Sequence, residues 1–418
     1  MAQFLKKIYQ STLVKETAIY GLTNALYTGL PLLLMPFLVA ILSPEDYGLI
    51  DLYKSVCLVL TPILGLSAIQ SISRFFFDYD EKTFKDYIST IIIFYFINGI
   101  IAICLLLIVG LFIESKYLIM TFLAIIYSIF NQITEALLAI YRVKGKPKKY
   151  SVLRLGSILL DLLLLFIFYI LYTHYNWTYR VIPNVLSTTI IGLLVIYLFF
   201  FRYSFKFTLN KELLKTTLIY STPLILYMIS GYILNIGDRF FIVHFLGEED
   251  LGNYSISYQL GMSISFLYTS FNLSWTPTFY KWMKEGLFEK IDKVKRYIYI
   301  LLPICGVFVV SFWIIILNYI PNFHKYNVPL ALIIIVSVSY IILSYYKFEA
   351  NYLYFYKKTK LLGLISLLSA FISVILNIML LPRIGMIGGA ISTLITFIIL
   401  YISVILGNKQ YKYEKKNT

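Results

Sequence analysis

Five places in this 418-residue sequence set charged or hydrogen-bonding side chains inside long apolar stretches. Asp51 and Lys54 stand three apart, so a helix puts them on one face. Asn131-Gln132 precede Glu135. Arg154 and Asp161 stand seven apart, two turns along one helical face. Asn235 precedes Asp238-Arg239, and Lys347 precedes Glu349. A charge inside a bilayer is costly, so it faces a partner or a water-filled cavity. Cations so placed can hold an anionic ligand, and Arg holds phosphate oxygens by forked hydrogen bonds. Acids so placed can take up a proton or a sodium ion. The candidate cavity cations are Arg239, Lys54 and Arg154, and the candidate ion-coupling acids are Asp238, Asp161, Asp51 and Glu135. Arg154, Lys347 and Glu349 lie close enough to span ends to snorkel to the headgroups. Asp161 and Asp238-Arg239 lie too deep for that and point to a buried role. Adjacent residues on a helix point about 100° apart, so Asp238 and Arg239 need not pair.

Other chemistries find no support. Cys57, Cys104 and Cys305 lie singly in apolar runs, with neither ligand spacing nor a disulfide framework. His174, His244 and His324 are scattered, so no metal site is expected. Gly145-Lys146-Pro147 lacks the upstream glycine and the Ser or Thr of a phosphate loop. No cofactor motif and no catalytic motif stands out, and the chain is not expected to be an enzyme.

The elements that must position these side chains follow from composition. The chain is 60% hydrophobic and 14% charged, more apolar surface than a soluble fold of this length can bury. The net charge of +15 would suggest nucleic acid in a soluble protein. Here the basic residues sit between apolar runs, so no nucleic acid is expected. Apolar runs predict twelve helices near 18–42, 49–72, 87–112, 117–140, 151–172, 181–201, 216–246, 251–276, 297–317, 327–346, 361–381 and 385–407. They are continuous rather than alternating, which favours helices over a membrane barrel. The fold expected is all-α and polytopic. The first run is too long for a signal peptide and no Ala-x-Ala site follows it, so it reads as a retained span. If Lys and Arg are assigned alternately to the two sides, 29 fall on the N-terminal side and four on the other, Lys116, Arg180, Lys325 and Arg383. Lys54, Arg154 and Arg239 remain within spans. That bias places both termini in the cytoplasm. The longest inward loop, about 277–296, reads as a short amphipathic connector.

The chain also repeats itself. Leu42-Ser43-Pro44-Glu45-Asp46-Tyr47-Gly48 aligns with Leu246-Gly247-Glu248-Glu249-Asp250-Leu251-Gly252 at an offset of 204, and Arg74-Phe75-Phe76 meets Thr278-Phe279-Tyr280 at the same offset. This predicts two parallel halves of six spans, 1–210 and 211–418, related by an axis along the membrane normal. Pro31, Pro36, Pro62, Pro223 and Pro303 permit kinks within spans, and span one and span seven suit gates or hinges. Gly385-x-x-Gly388-Gly389-Ala390 reads as a close helix contact.

Together these stretches resemble the bacterial oligosaccharide repeat-unit flippases. These are the O-antigen and capsule translocases of the polysaccharide transporter family, within the multidrug/oligosaccharidyl-lipid/polysaccharide exporter superfamily. The resemblance rests on Leu42 to Gly48, Ser73-Arg74-Phe75-Phe76-Phe77, and Asp238-Arg239-Phe240-Phe241-Ile242 through Leu246-Gly247 to Gly252-x-Tyr254. It rests also on Trp275-Thr276-Pro277 and on Asn377 to Pro382 with the glycines after it. It implies twelve helices in two six-helix bundles around a central cavity, an undecaprenyl-pyrophosphate-linked glycan as substrate, and alternating access in the inner membrane. It carries no catalytic residue onto this chain. The partners expected are the lipid-linked oligosaccharide, membrane lipids, a coupling proton or sodium ion, and polysaccharide polymerase machinery. A multidrug/cation antiporter of the same superfamily is the alternative, although its site would favour acids and aromatics over cations. A membrane glycan polymerase or acyltransferase would need a large outward loop or a catalytic motif.

Overall fold

A computed structural model describes residues 12–414, without the side chains of 12–18, 223–224, 226–227, 273 and 410–414. Lys6, Lys7, Lys415 and Lys416 of the charge pattern lie outside the described residues. The side chains of Lys15, Pro223 and Lys412 are likewise outside them.

Among the described residues the regular structure is helical throughout. In chain order the α-helices are α1 (Thr12–Ile41), α2 (Pro44–Gly65), α3 (Ile69–Asp78), α4 (Glu81–Val109), α5 (Ser115–Val143), α6 (Pro147–Leu171) and α7 (Trp177–Tyr197), the last continued by a π turn, Leu198–Arg202. Then come α8 (Lys211–Leu246), α9 (Glu248–Met262), α10 (Ile264–Lys284), α11 (Phe288–Leu317), α12 (Leu330–Phe355), α13 (Thr359–Ile384) and α14 (Met386–Glu414). Ten helical stretches are long and apolar enough to cross a membrane. With α8 and the α9–α10 pair they account for the twelve expected spans. The protein is an all-α, polytopic membrane protein.

Local chemistry sets the helix starts. Ser43 accepts from the Asp46 amide at 3.1 Å and donates to its carboxylate at 2.6 Å, with Pro44 at the first helical position of α2. This caps the free amides of the first turn. Asp80 and Asn176 cap α4 and α7 in the same way, and Asn210 accepts from the amides of Glu212 and Leu213 at the head of α8.

Two spans depart from the expected continuous helices. The second breaks after Gly65, where Leu66 and Ser67 take positive φ of 43° and 54°. The break frees C-terminal carbonyls, and Asn98 satisfies that of Leu64 at 2.7 Å. The eighth breaks at Ser263, whose hydroxyl donates to Leu260 O and accepts from Trp313 Nε1. The connector expected at 277–296 is mostly helix, the end of α10 and the start of α11, with the turn at Gly286 (φ 71°).

The chain forms two compact units. The first takes the chain up to Met35 and Tyr53–Met228, and the second takes Pro36–Leu52 and the chain from Ile229. In the first unit α5 is central and packs on α3, α4, α6 and α7. In the second α12 is central and packs on α9, α10, α11 and α14. These are the fourth spans of the two sequence halves. Gly388 stands where a Cβ would press on the Leu380 carbonyl, so the glycine run after Pro382 serves the tight α13–α14 turn.

Candidate functional site

The site is built where the two copies of the repeated turn come together within the second unit. A Cβ on Gly48 would overlap the Glu248 carbonyl oxygen, and one on Gly252 the Pro44 carbonyl oxygen. The first turns of α2 and α9 therefore touch backbone to backbone, and each glycine of the repeat is required by the other copy. The offset of 204 recurs in the side chains, because Ser255 donates to Asp51 Oδ2 at 2.7 Å. Tyr47 donates to Gln259 at 3.2 Å, and Tyr326 donates to the Leu42 carbonyl at 3.0 Å.

Arg239 of α8 reaches this junction. Its Nη1 is 2.5 Å from Asp238 Oδ1 and its Nε is 3.4 Å from Asp51 Oδ2. Nη1 also donates to the Asn235 carbonyl at 3.0 Å. The guanidinium lies 4.0 Å from the ring centre of Tyr258, and Tyr254 donates to Asp238 Oδ2. Asp238 and Arg239 are each 5% exposed. The neighbours thus do pair, although a helix points them apart, because the long Arg side chain folds back over its own turn. One cation faces two carboxylates, and aromatic faces complete its shell. α9 supplies both tyrosines, and its residues from Leu251 to Leu260 are nearly all buried. A span shielded from lipid has no need to be apolar, which is why Asn253, Ser255 and Ser257 are tolerated there.

The other nominated residues fall into separate clusters. Arg154 of α6 bonds Glu135 of α5 at 2.5 Å and lies 3.8 Å over the Tyr27 ring. Asp161 is held through both oxygens by Arg180 of α7 at 2.9 and 2.7 Å, with Asn184 at 3.2 Å. Arg154 and Asp161 thus share a face without sharing a partner. Arg180, assigned to a loop by its charge, lies in the first turn of α7 and is 8% exposed. Glu349, expected to snorkel, is buried: Lys295 and Tyr299 meet one oxygen, and Asn408 donates to the other at 3.0 Å. Arg154 also turns inward rather than to the headgroups. Lys54 is half-buried on the turn of α2 after Asp51. Sequence reading missed Arg180, Lys295, Tyr254 and Tyr258. A mid-span Asp161 requires a cation, and that requirement was the available signal for Arg180.

Among the described residues no group of His, Cys, Asp and Glu is arranged to hold a metal ion. Each cluster sets a cation against one or two carboxylates, so an anionic ligand can reach the cation only by displacing them.

Known proteins resemble this chain along most of its length. The family described as polysaccharide biosynthesis protein matches residues 13–283. The Lsg locus putative protein 1 of Haemophilus influenzae (strain ATCC 51907 / DSM 11121 / KW20 / Rd) is 25% identical over 372 residues, 86% of this chain and 89% of that protein. Among solved structures, the lipid II flippase MurJ in an inward closed conformation has a TM-score of 0.69 at 16% identity, covering 95% of this chain and 87% of that one. An inward-facing MATE family multidrug resistance transporter of the MOP superfamily has a TM-score of 0.66 at 15% identity, with 96% of each chain covered. At such identities the two structures show a shared fold.

Proposed function

This chain belongs to the polysaccharide biosynthesis protein family, and on that footing we propose that it is a flippase for an undecaprenyl-pyrophosphate-linked oligosaccharide. It moves its cargo across the bacterial inner membrane by alternating access, as a transporter rather than an enzyme, for O-antigen or capsule assembly. The observation that carries this reading is the family match over residues 13–283. The fold shared with a lipid II flippase supports it.

The chemistry of the cargo fits the residues. Sugars and a pyrophosphate lose their hydration in hydrocarbon without replacement, so unaided passage is prohibitive. Arg239 is the cation we assign first to the pyrophosphate, and Lys54 and Arg154 of the other unit are separate candidates for the same role. Arg239 and Arg154 already hold carboxylates, so phosphate oxygens must replace these. Uptake of coupling protons or sodium ions by both Asp51 and Asp238 would free Arg239 for that exchange, and Glu135 plays the same part for Arg154. The bidentate Asp161–Arg180 bridge is better suited to fastening α6 to α7.

The test is depletion of the protein in its host, followed by leaflet-specific labelling of lipid-linked intermediates. Accumulation of unlabelled, inward-facing oligosaccharide is expected. Normal outward exposure would sink the reading. Altered drug resistance with unchanged glycan would favour the multidrug antiporter.

A further inference from the structure

The cations at the α5–α6 turn and after α7 serve to orient the chain, and the structure gives three of them a second use. A groove of about 490 Å³ runs between α6 and α7, within the ~300–1,000 Å³ of ligand sites. Val152, Leu153, Ile191 and Leu194 supply an apolar wall. Lys148 and Lys149 open α6 and Arg202 closes the π turn after α7, so all three cations gather at one end.

Two local features make the groove. Gly156 lies two turns into α6 from the lysines, and a Cβ there would meet nothing within 4 Å. The π turn Leu198–Arg202 widens the last turn of the α7 span. It is held by the Tyr203 amide on Leu198 O at 2.9 Å and the Phe205 amide on Phe199 O at 3.1 Å. Such turns are rare and tend to mark functional sites. Here it sets Arg202 and Tyr203 at the groove, and the Tyr203 hydroxyl lies 3.2 Å from that of Tyr141. No acid lines the groove. Arg154, Arg180, Arg239 and Lys295 each face a carboxylate. Lys148, Lys149 and Arg202 make no ion pair among the described residues.

We propose that this groove binds one anionic phospholipid of the membrane, its phosphate at Lys148, Lys149 and Arg202 and an acyl chain along Val152 to Gly156. Charge complementarity selects this occupant, since basic pockets between spans attract anionic headgroups. The site stands independently of the transport reading.

Native mass spectrometry of the full-length protein, purified in detergent with phosphatidylglycerol or phosphatidylcholine, tests the site. Wild type should retain one phosphatidylglycerol with at least about tenfold preference, given three cations at the headgroup. Lys148→Gln/Lys149→Gln/Arg202→Gln should abolish the preference. Lys284→Gln/Lys293→Gln/Lys360→Gln, with equal charge loss elsewhere, should keep it. Gly156→Leu fills the groove and leaves every charge, so it should release the lipid as well. Equal retention of both lipids by wild type, or a preference that survives the triple or the Gly156 variant, overturns the proposal. Displacement of phosphatidylglycerol by equimolar undecaprenyl phosphate also overturns it, and assigns the groove to an isoprenoid cargo.

Discussion

At the scale of single residues, four cations are held by carboxylates: Arg239 by Asp238 and Asp51, Arg154 by Glu135, Arg180 by Asp161, and Lys295 by Glu349. Removing one partner of a buried pair leaves the other uncompensated, at about 3–5 kcal/mol. That is a large share of a typical stability of about 5–15 kcal/mol. Arg239→Ala should therefore lower the amount of protein in the membrane several-fold. Arg239→Ala with Asp238→Asn should recover part of it. Quantitative immunoblotting of membranes reads both. If the rescued double variant still fails to export glycan, Arg239 has a role in transport beyond folding. Full export by Arg239→Ala at normal abundance would remove both roles. For the second pair, Arg180→Gln and Asp161→Asn should each destabilise, and the double variant should lose less than the two losses combined. Thermal melts of purified variants decide this, since strict additivity would mean that the bridge contributes nothing.

At the scale of elements, the α2–α9 contact depends on two glycines. At Gly48 and Gly252 a Cβ would overlap backbone carbonyl oxygens rather than a side chain that can move aside. Overpacking costs about 1–3 kcal/mol where neighbours can yield, and backbone yields less readily. Gly48→Ala and Gly252→Ala should each reduce folded yield, whereas Gly363→Ala, where a Cβ meets nothing within 4 Å, should not. Size-exclusion profiles of detergent-solubilised protein compare the three directly. Ser43→Ala removes the α2 cap and should cost about 0.5–2 kcal/mol, seen as a lower melting temperature. The repeated turn thus has one physical explanation in both copies. Each starts a helix with acids in its first turn, where the helix dipole favours them, and each offers a glycine to its counterpart.

At the scale of the whole molecule, the 29-to-four distribution of Lys and Arg leads us to propose cytoplasmic termini. Cysteines placed at Lys146 and Lys358 in a Cys-free protein should react with an impermeant reagent only after the membrane is breached. A cysteine at Glu249 should react in intact cells. Labelling of position 146 from outside would reverse the orientation. Arg180 weighs little in that distribution, since its charge is spent on Asp161 inside the first unit.

The sequence by itself determined the fold class and the helix positions, because burying apolar surface in lipid demands continuous runs of about 20 residues. It also exposed the repeated turn and the residues out of place in hydrocarbon, since an Asp161 or an Arg239 stands out against an apolar background. Tertiary structure alone decided who pairs with whom. Asp51 and Arg239 lie 188 residues apart and Asp161 and Arg180 lie 19 apart, and helical periodicity speaks only to neighbours on one helix. The breaks at Leu66–Ser67 and Ser263 were hidden for a related reason. Asn98 and Trp313, which satisfy the interrupted backbone or fix the turn, come from other helices, and no local propensity announces them.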